Sequence, residues 1–259
     1  MTAEKLKELR RVFRKGTKPL SMLRAIAPSC VAVMAASDDA EAVTARIKAA
    51  YAALRKHFIA IEYTAIAALM LADAREEAEF AALAAAARAQ FDAFKKLHRI
   101  RTDSTNIPLC MLLALRGADP AASAENAEAC FRLMRSEHRF RCRWTLAQML
   151  TLDPRDNAEK CTELCALKDK LRAEKKSFSM YYELAALACR SEELKEKAED
   201  ALAVFDTLSQ DRRFNGWKLD NTERMIVAYL VAAPSSELFW LTLSLHYEKR
   251  SAQAAAAAA

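Results

Sequence analysis

Two pairs of potential soft-metal ligands lie close together in the chain. His138 and Cys142 are four residues apart, and so are Cys161 and Cys165. On a helix this spacing places each pair on one face, and an antiparallel turn centred near Pro154 brings Cys142 to the depth of Cys165. Zinc accepts four such ligands, but its usual structural sites place two cysteines on one tight loop. Free cysteine is also among the most buried residue types, so we expect core thiols and no bound metal.

Basic residues gather in the predicted turns between helices. If the helices stack regularly, these turns align at one edge, while acidic segments such as SDDAE and SEELKEKAED align at the other. Cations favour helix C-termini and acids favour N-termini, so dipole complementation explains much of this pattern. It explains Arg141 and Arg143 less well, because these residues lead into the following helix. The candidate partner-binding residues are Arg99, Arg101, Arg139, Arg141, Arg143, Arg212, Arg213 and Lys218.

No catalytic arrangement is recognisable in the sequence. Gly16, Gly117 and Gly216 are each about a hundred residues apart. Phosphate-binding loops and nucleophile elbows need several glycines close together, so these motifs are absent. No nucleophile is paired with a base at a recognisable spacing. We therefore predict no catalytic residues and no cofactor, and we expect binding more than catalysis.

The composition restricts the class of protein. Only 3 of the 259 residues are glycine and 6 are proline, and sheet-rich folds need both types at their tight turns. The net charge of +6, with 29% charged residues, lacks the strong basic bias of a dedicated nucleic-acid binder. The longest uncharged stretch has 13 residues, whereas a membrane span needs about 20. An odd number of cysteines, 7, favours reduced thiols in a bacterial-type cytoplasm.

One local pattern recurs along the chain: an amphipathic helix, a short basic segment ending in a large apolar residue, and an apolar helix. The large apolar residues are Phe58, Ile100, Phe140, Phe178 and Phe214, at intervals of 36 to 42 residues. Periods of this size are typical of helix-pair arrays. The apolar segments read YTAIAALMLA, IPLCMLLAL, WTLAQML, YYELAALAC and ERMIVAYLVA, and we expect them to be buried on more than one side.

The predicted fold class is therefore all-α: a helix-pair repeat array, or α-α superhelix, of about five to six antiparallel pairs. Capping residues predict where helices begin, because Asp and Ser accept hydrogen bonds from free N–H groups and Pro fits the first turn. Three predicted domain regions follow: a basic amphipathic N-terminal segment over 1–18, a single helical-repeat domain over 19–250, and an alanine-rich tail over 251–259. The capping sites are Ser37-Asp38-Asp39, Asp119-Pro120, Asp153-Pro154 and Ser191-Glu192-Glu193.

The helix pairs also resemble a known family. DNAEKCTELCALKDKLRAEKKSFSMYYELAALA and DTLSQDRRFNGWKLDNTERMIVAYLVAA, together with the alanine-rich C-terminus, resemble an uncharacterised bacterial family, domain of unknown function number four thousand and three. The resemblance covers roughly residues 20–259. It implies a cytoplasmic, all-helical protein and supplies no catalytic residues.

The expected function is a non-catalytic helical-repeat scaffold that binds a protein or peptide, because stacked helix pairs present extended surfaces. An acidic segment of that partner would use the basic turns, and a nucleic acid is the less favoured ligand for them. No membrane association is expected. The alternative is an enzyme or small-molecule-binding protein with a pocket between inner helices, lined by Tyr181, Tyr182, Glu183 and Cys189.

Overall fold

A computed structural model of the protein describes residues 2–137, 143–173, 192–211, 221–232 and 239–247. Throughout those ranges the regular secondary structure is helical, with no β-strand. The predicted all-α fold class is therefore confirmed, while the repeat array stays a prediction. The chain divides into two compact units, one of residues 1–96 and 103–118 and the other of residues 97–102 and 119–259.

The first unit contains six α-helices and three short 3-10 turns within its described residues. The turns are Met22–Arg24, Glu77–Glu79 and Ser104–Asn106. The last residue of α5 belongs to the second unit. The helices are α1 (Ala3–Gly16), α2 (Ala27–Ala35), α3 (Ala40–Leu54), α4 (Glu62–Ala74), α5 (Phe80–Leu97) and α6 (Ile107–Leu115).

Helices α4 and α6 form the apolar interior of this unit. All residues from Tyr63 to Ala72 and from Ile107 to Ala114 are buried. Helix α4 packs against both α3 and α6, as expected for a helix that is apolar nearly all round. Both predicted apolar helices are thus confirmed. These helices have 13 and 9 residues, and no helix in the described ranges is long and apolar enough to cross a membrane.

Apolar residues three or four apart predict one buried stripe on each amphipathic helix, formed by Ile47, Tyr51 and Leu54 in α3 and by Phe91, Phe94 and Leu97 in α5. The structure differs from this prediction at two positions. Ile47 and Leu54 of α3 are fully buried, as predicted. Tyr51, predicted to share their stripe, is only half-buried, and Ala50 is buried instead. Leu97, predicted to be buried in α5, is 44% exposed because it is the last residue of its helix.

Helix α1 packs into the first unit through its apolar face. Leu9 and Phe13 are 6% and 0% exposed, and α1 contacts both α2 and α3. A Cβ at Gly16 would lie 2.8 Å from Cγ2 of Thr44, so glycine permits this close approach of α1 to α3. The basic segment predicted over 1–18 is therefore a packed helix.

The second unit contains five α-helices of known bounds, a 3-10 turn at Leu150–Leu152 and helical residues 239–247. Helix α7 packs against α8 and α9, and α10 packs against α11. All residues of α8 are buried, which confirms the predicted apolar segment WTLAQML. The helices are α7 (Pro120–Ser136), α8 (Trp144–Met149), α9 (Asn157–Ala173), α10 (Glu192–Gln210) and α11 (Asn221–Ala232).

Two of the predicted caps begin helices. The carboxylate of Asp39 accepts a hydrogen bond from the N–H of Ala42 at 2.9 Å at the start of α3. The carboxylate of Asp119 accepts one from the N–H of Ala122 at 2.8 Å at the start of α7. Both confirm that a short polar side chain satisfies the free donors of the first turn.

A third predicted cap, Asp153-Pro154, is wrong. Helix α9 begins at Asn157 instead, and Asp156 accepts hydrogen bonds from the N–H groups of the first turn. The physical reason is that the carboxylate of Asp153, 1% exposed, is occupied by Arg155, with Nη2 to Oδ2 at 2.6 Å. The fourth predicted cap begins with Ser191, which lies outside the described residues.

Candidate functional site

The turn of residues 97–102 is held against α8 by a buried hydrogen bond. Nε1 of Trp144 donates to Oγ1 of Thr102 at 3.0 Å, and the two residues are 3% and 2% exposed. A buried indole N–H needs such a partner. The bond therefore fixes the turn that carries the predicted binding residues Arg99 and Arg101. Arg101 directly precedes Thr102 in the chain and Arg143 directly precedes Trp144, so both arginines lie next to this bond.

A hydrogen-bonded pair fastens the same turn to α7. Nε2 of His98 lies 2.6 Å from Oε2 of Glu128, and Nε of Arg132 donates to Oε1 of the same carboxylate at 2.6 Å. The His98 and Glu128 side chains are 22% and 20% exposed. Burial favours the neutral form of Glu128, but the hydrogen bonds from His98 and Arg132 outweigh it and lower the pKa of that carboxyl. Glu128 is therefore a fixed negative charge that orients both partners.

Two aromatic rings pack beside this pair. The His98 ring lies 4.2 Å from the Trp144 ring and 5.3 Å from the Phe131 ring, between centroids. Phe131 and Trp144 meet edge to face, at 5.4 Å and 90°, the geometry that the ring quadrupole favours. Because Phe131 and Trp144 are only 5% and 3% exposed, they anchor the packing and do not offer open faces to a ligand.

Two exposed guanidinium groups lie over the Phe131 ring. Cζ of Arg101 is 5.0 Å and Cζ of Arg135 is 5.2 Å from its centroid. A cation over an aromatic face is attracted by the ring quadrupole. Neither guanidinium pairs with a carboxylate in the part of the chain that the structure describes. Arg101, Arg135 and the ring beneath them are here called the Phe131 surface.

Arg143 lies at the start of a helix, as the sequence predicted. It is the exposed N-cap residue of α8, with φ −74° and ψ 151°, and its side chain makes no capping hydrogen bond. A cation at a helix N-terminus is disfavoured by the dipole. Dipole complementation therefore does not account for arginine at this position.

The remaining predicted binding residues fall partly outside the described residues. Arg99 is exposed in the turn that carries Arg101. The other predicted residues lie outside the described ranges, as do those proposed to line a pocket between inner helices. They are Arg139, Arg141, Arg212, Arg213, Lys218, Tyr181, Tyr182, Glu183 and Cys189.

Half of the candidate metal site can be located. Cys161 and Cys165 are buried in α9, whereas His138 and Cys142 lie outside the described residues. Within the described ranges, no group of three or more His, Cys, Asp or Glu side chains could hold a metal ion. The expectation of core thiols without a bound metal stays a prediction. We expect purified protein to be free of zinc, with a melting temperature that a chelator leaves unchanged.

Several residues of this site were not identified from the sequence. Glu128, Phe131 and Arg135 all lie on α7, and a weak local signal existed for them. Phe131 and Arg135 are four residues apart, the spacing that places two side chains together on one helix face. Nothing local indicates that His98 and Trp144 complete the cluster.

Comparisons with known proteins support the resemblance seen in the sequence. No curated protein and no solved structure matches the chain. A family model does match, over residues 1–248, so the match includes the N-terminal helix and stops before the alanine-rich tail. The chain belongs to the family described as protein of unknown function (DUF4003).

Proposed function

We propose that this protein is a non-catalytic binding module for a protein or peptide partner, and that an acidic segment of the partner binds the Phe131 surface. The observation that supports this is the placement of Arg101 and Arg135 over one ring without a carboxylate partner among the described residues. A guanidinium presents a planar fork of donors that matches a carboxylate. The two groups therefore suit a partner carrying Asp or Glu.

The ring contact also reduces the entropic cost of binding. An exposed arginine normally loses about 0.5–1.5 kcal/mol of rotamer freedom when a partner immobilises it. Arg101 and Arg135 are already restricted by the Phe131 ring, which is itself held by His98 and Trp144. This prior ordering favours a specific contact over a diffuse positive surface.

The wider protein would act as a helical-repeat scaffold in the bacterial cytoplasm. The 36- to 42-residue period of its sequence supports this class, whose stacked helix pairs present extended surfaces. The five cysteines with described side chains are all free and buried, which supports a reducing compartment.

The test compares two double variants of equal charge change. Arg101→Ala with Arg135→Ala removes the Phe131 surface, and Lys48→Ala with Lys56→Ala removes two exposed cations from the first unit. The probes are a fluorescein-labelled peptide of alternating Glu and Leu and a single-stranded DNA of similar length, followed by fluorescence anisotropy over a salt series. We expect the arginine variant to weaken peptide binding about tenfold, as the loss of two partly ordered rim charges implies, and the lysine variant to bind like the wild type.

Two results would overturn the proposal. Equal weakening by both variants would show that only net charge matters. Preferential loss of DNA binding, with the log–log salt slope reduced by roughly 1.4 for two phosphate contacts on a single strand, would assign the surface to nucleic acid. Circular dichroism of each variant controls for folding, because both substitution pairs lie at exposed positions.

A further inference from the structure

A buried lysine lies in the core of the second unit. Lys160 on α9 is 0% exposed. Its ammonium donates to Oδ1 of Asn126 at 3.0 Å and to the main-chain oxygen of Asp153 at 3.1 Å. Both acceptors are neutral, and within the described residues no carboxylate pairs with this ammonium. A buried charge without a counter-charge is costly, so this position needs an explanation.

The nearby carboxylate of Asp153 is already occupied by a different cation. The guanidinium of Arg155 donates from Nη2 to Oδ2 at 2.6 Å and from Nε to Oδ1 at 3.0 Å. The same guanidinium also donates to Oε2 of Glu163 at 2.7 Å. Asp153 is therefore paired with Arg155, which it shares with Glu163, and Lys160 receives only the main-chain oxygen of Asp153.

The thiol of Cys130 is one of the ionisable groups that share the environment of Lys160. Its thiol lies 3.6 Å from Oδ1 of Asn126, the same oxygen that accepts from Lys160, and 3.3 Å from Oδ1 of Asn157, and it can donate its single proton to one of these oxygens. Cys130 is 0% exposed. A thiolate at Cys130 would place a negative charge near this ammonium, which donates to two neutral oxygens.

A second thiol contacts the main chain of Cys130. Cys161, the chain neighbour of Lys160, is also fully buried, and its thiol approaches the main-chain oxygen of Cys130 at 3.8 Å. The Cys161 thiol and the Lys160 ammonium lower the pKa of Cys130, against burial and the Asp153 and Asp156 carboxylates, whereas the Cys130 sulfur and burial raise the pKa of Cys161. By contrast, burial raises the pKa of Cys30 in the first unit to about 12.

We propose that Cys130 and Cys161 are a redox-active pair, in which Cys130 reacts with hydrogen peroxide and Cys161 then closes a disulfide between α7 and α9. Lys160 stabilises the attacking thiolate, as cations do beside reactive cysteines. The oxidant must be small because both sulfurs are fully buried. Local opening of the fold admits hydrogen peroxide to the sulfurs, whereas a bulky disulfide reagent needs a larger opening. This proposal is independent of the binding function proposed above.

The reaction balances in two steps. First, the Cys130 thiolate attacks one oxygen of peroxide: an S–O bond forms, the O–O bond breaks, and the departing hydroxide takes a proton to become water. The sulfur loses two electrons to the peroxide and becomes a sulfenic acid. Second, the Cys161 sulfur attacks that sulfur: the S–S bond forms, the S–O bond breaks, and the hydroxide leaves with the Cys161 proton as a second water. Overall, two thiols and one peroxide give one disulfide and two waters.

The test treats the full chain with one equivalent of hydrogen peroxide, blocks the remaining thiols in denaturant, and maps cross-linked peptides by mass spectrometry. We expect a Cys130–Cys161 disulfide that dithiothreitol reverses. In Cys161→Ser the reaction should stop at a sulfenic acid on Cys130, which dimedone traps. A matched control, Cys110→Ser, removes a buried thiol of the first unit and should leave the disulfide unchanged.

A Lys160→Met variant tests the charge partner. We expect oxidation of Cys130 to slow about tenfold in this variant. Circular dichroism checks that the variant is folded. If it does not fold, the dimedone reaction of Cys161→Ser provides the test. The proposal is overturned if Cys130 and Cys161 remain thiols after peroxide, or if Cys130 pairs with another cysteine. It is also overturned if Cys161→Ser yields no dimedone adduct at Cys130.

Discussion

Guanidinium groups lie over phenyl rings in both units, but Arg88 of the first unit is paired with a carboxylate and the arginines of the Phe131 surface are not, among the described residues. In the first unit, Cζ of Arg88 lies 5.8 Å from the centroid of Phe58 and 5.6 Å from that of Phe91. The same guanidinium pairs with Asp92 at 2.9 Å and donates to the main-chain oxygen of His57. In the second unit, the two arginines of the Phe131 surface have no such carboxylate within the described residues.

The difference comes from a single acidic residue. Asp92 is four residues after Arg88 on α5 and therefore on the same face. Lys95 also lies over Phe91, at 5.4 Å, but its ammonium is a point charge that lacks the two-pronged geometry of arginine. The rings position the cations in both units, and the neighbouring carboxylate decides whether a guanidinium remains available to a partner.

The largest expected effect comes from removing the ring that holds the Phe131 surface. Trp144→Ala should lower the free energy of unfolding by about 3–5 kcal/mol, because it opens a cavity in a buried site and leaves the Thr102 hydroxyl without its donor. Urea denaturation measures the loss. Phe58→Ala is the counterpart in the first unit; it should also destabilise the protein, but only Trp144→Ala should weaken binding of the acidic peptide. Equal weakening by both would remove the functional distinction between the two clusters.

An intermediate effect is expected at the carboxylate that fastens the turn. Glu128→Gln should lower the free energy of unfolding by about 1–2 kcal/mol, because hydrogen bonds to a charged carboxylate are replaced by weaker bonds to a neutral amide. The pKa of Glu128 is lower in the folded chain than its ordinary value, so its stabilisation is complete above the ordinary Glu pKa of about 4.3 and is lost as the pH falls through the lower, folded value. Between about pH 7 and pH 3, the free energy of unfolding measured by denaturation should therefore fall less in Glu128→Gln than in the wild type. Identical pH profiles would contradict the ion pair.

The smallest effect is expected at the carboxylate that pairs with Arg88 in the first unit. Asp92→Asn removes the counter-charge of Arg88 while keeping a side chain of the same size. The stability loss should be only about 0.3–0.5 kcal/mol, as for other helical pairs four residues apart. Acidic-peptide binding, measured by anisotropy, should rise about twofold, because a second ring-held guanidinium becomes available. If binding is unchanged, charge compensation is not what distinguishes the two units.

Local patterns correctly predicted much of the secondary structure. The apolar segments that became α4 and α6, and the caps Asp39 and Asp119, depend on neighbours within a few residues. Burial of a helix that is apolar all round and capping by a short polar side chain are local consequences of residue type. The Asp153 cap was wrong because its carboxylate is buried and bound by Arg155, a contact that competes with the helix start.

The sequence by itself therefore determined the all-α class, the apolar helices and the presence of basic turns. Only the tertiary structure decided which of those basic residues could act together. His98 meets Glu128 at a separation of 30 residues and Trp144 meets Thr102 at 42, and Cys130 meets Cys161 at 31. Periodicity reports which face of a helix is buried but not which distant face covers it, because that choice depends on packing of the whole chain.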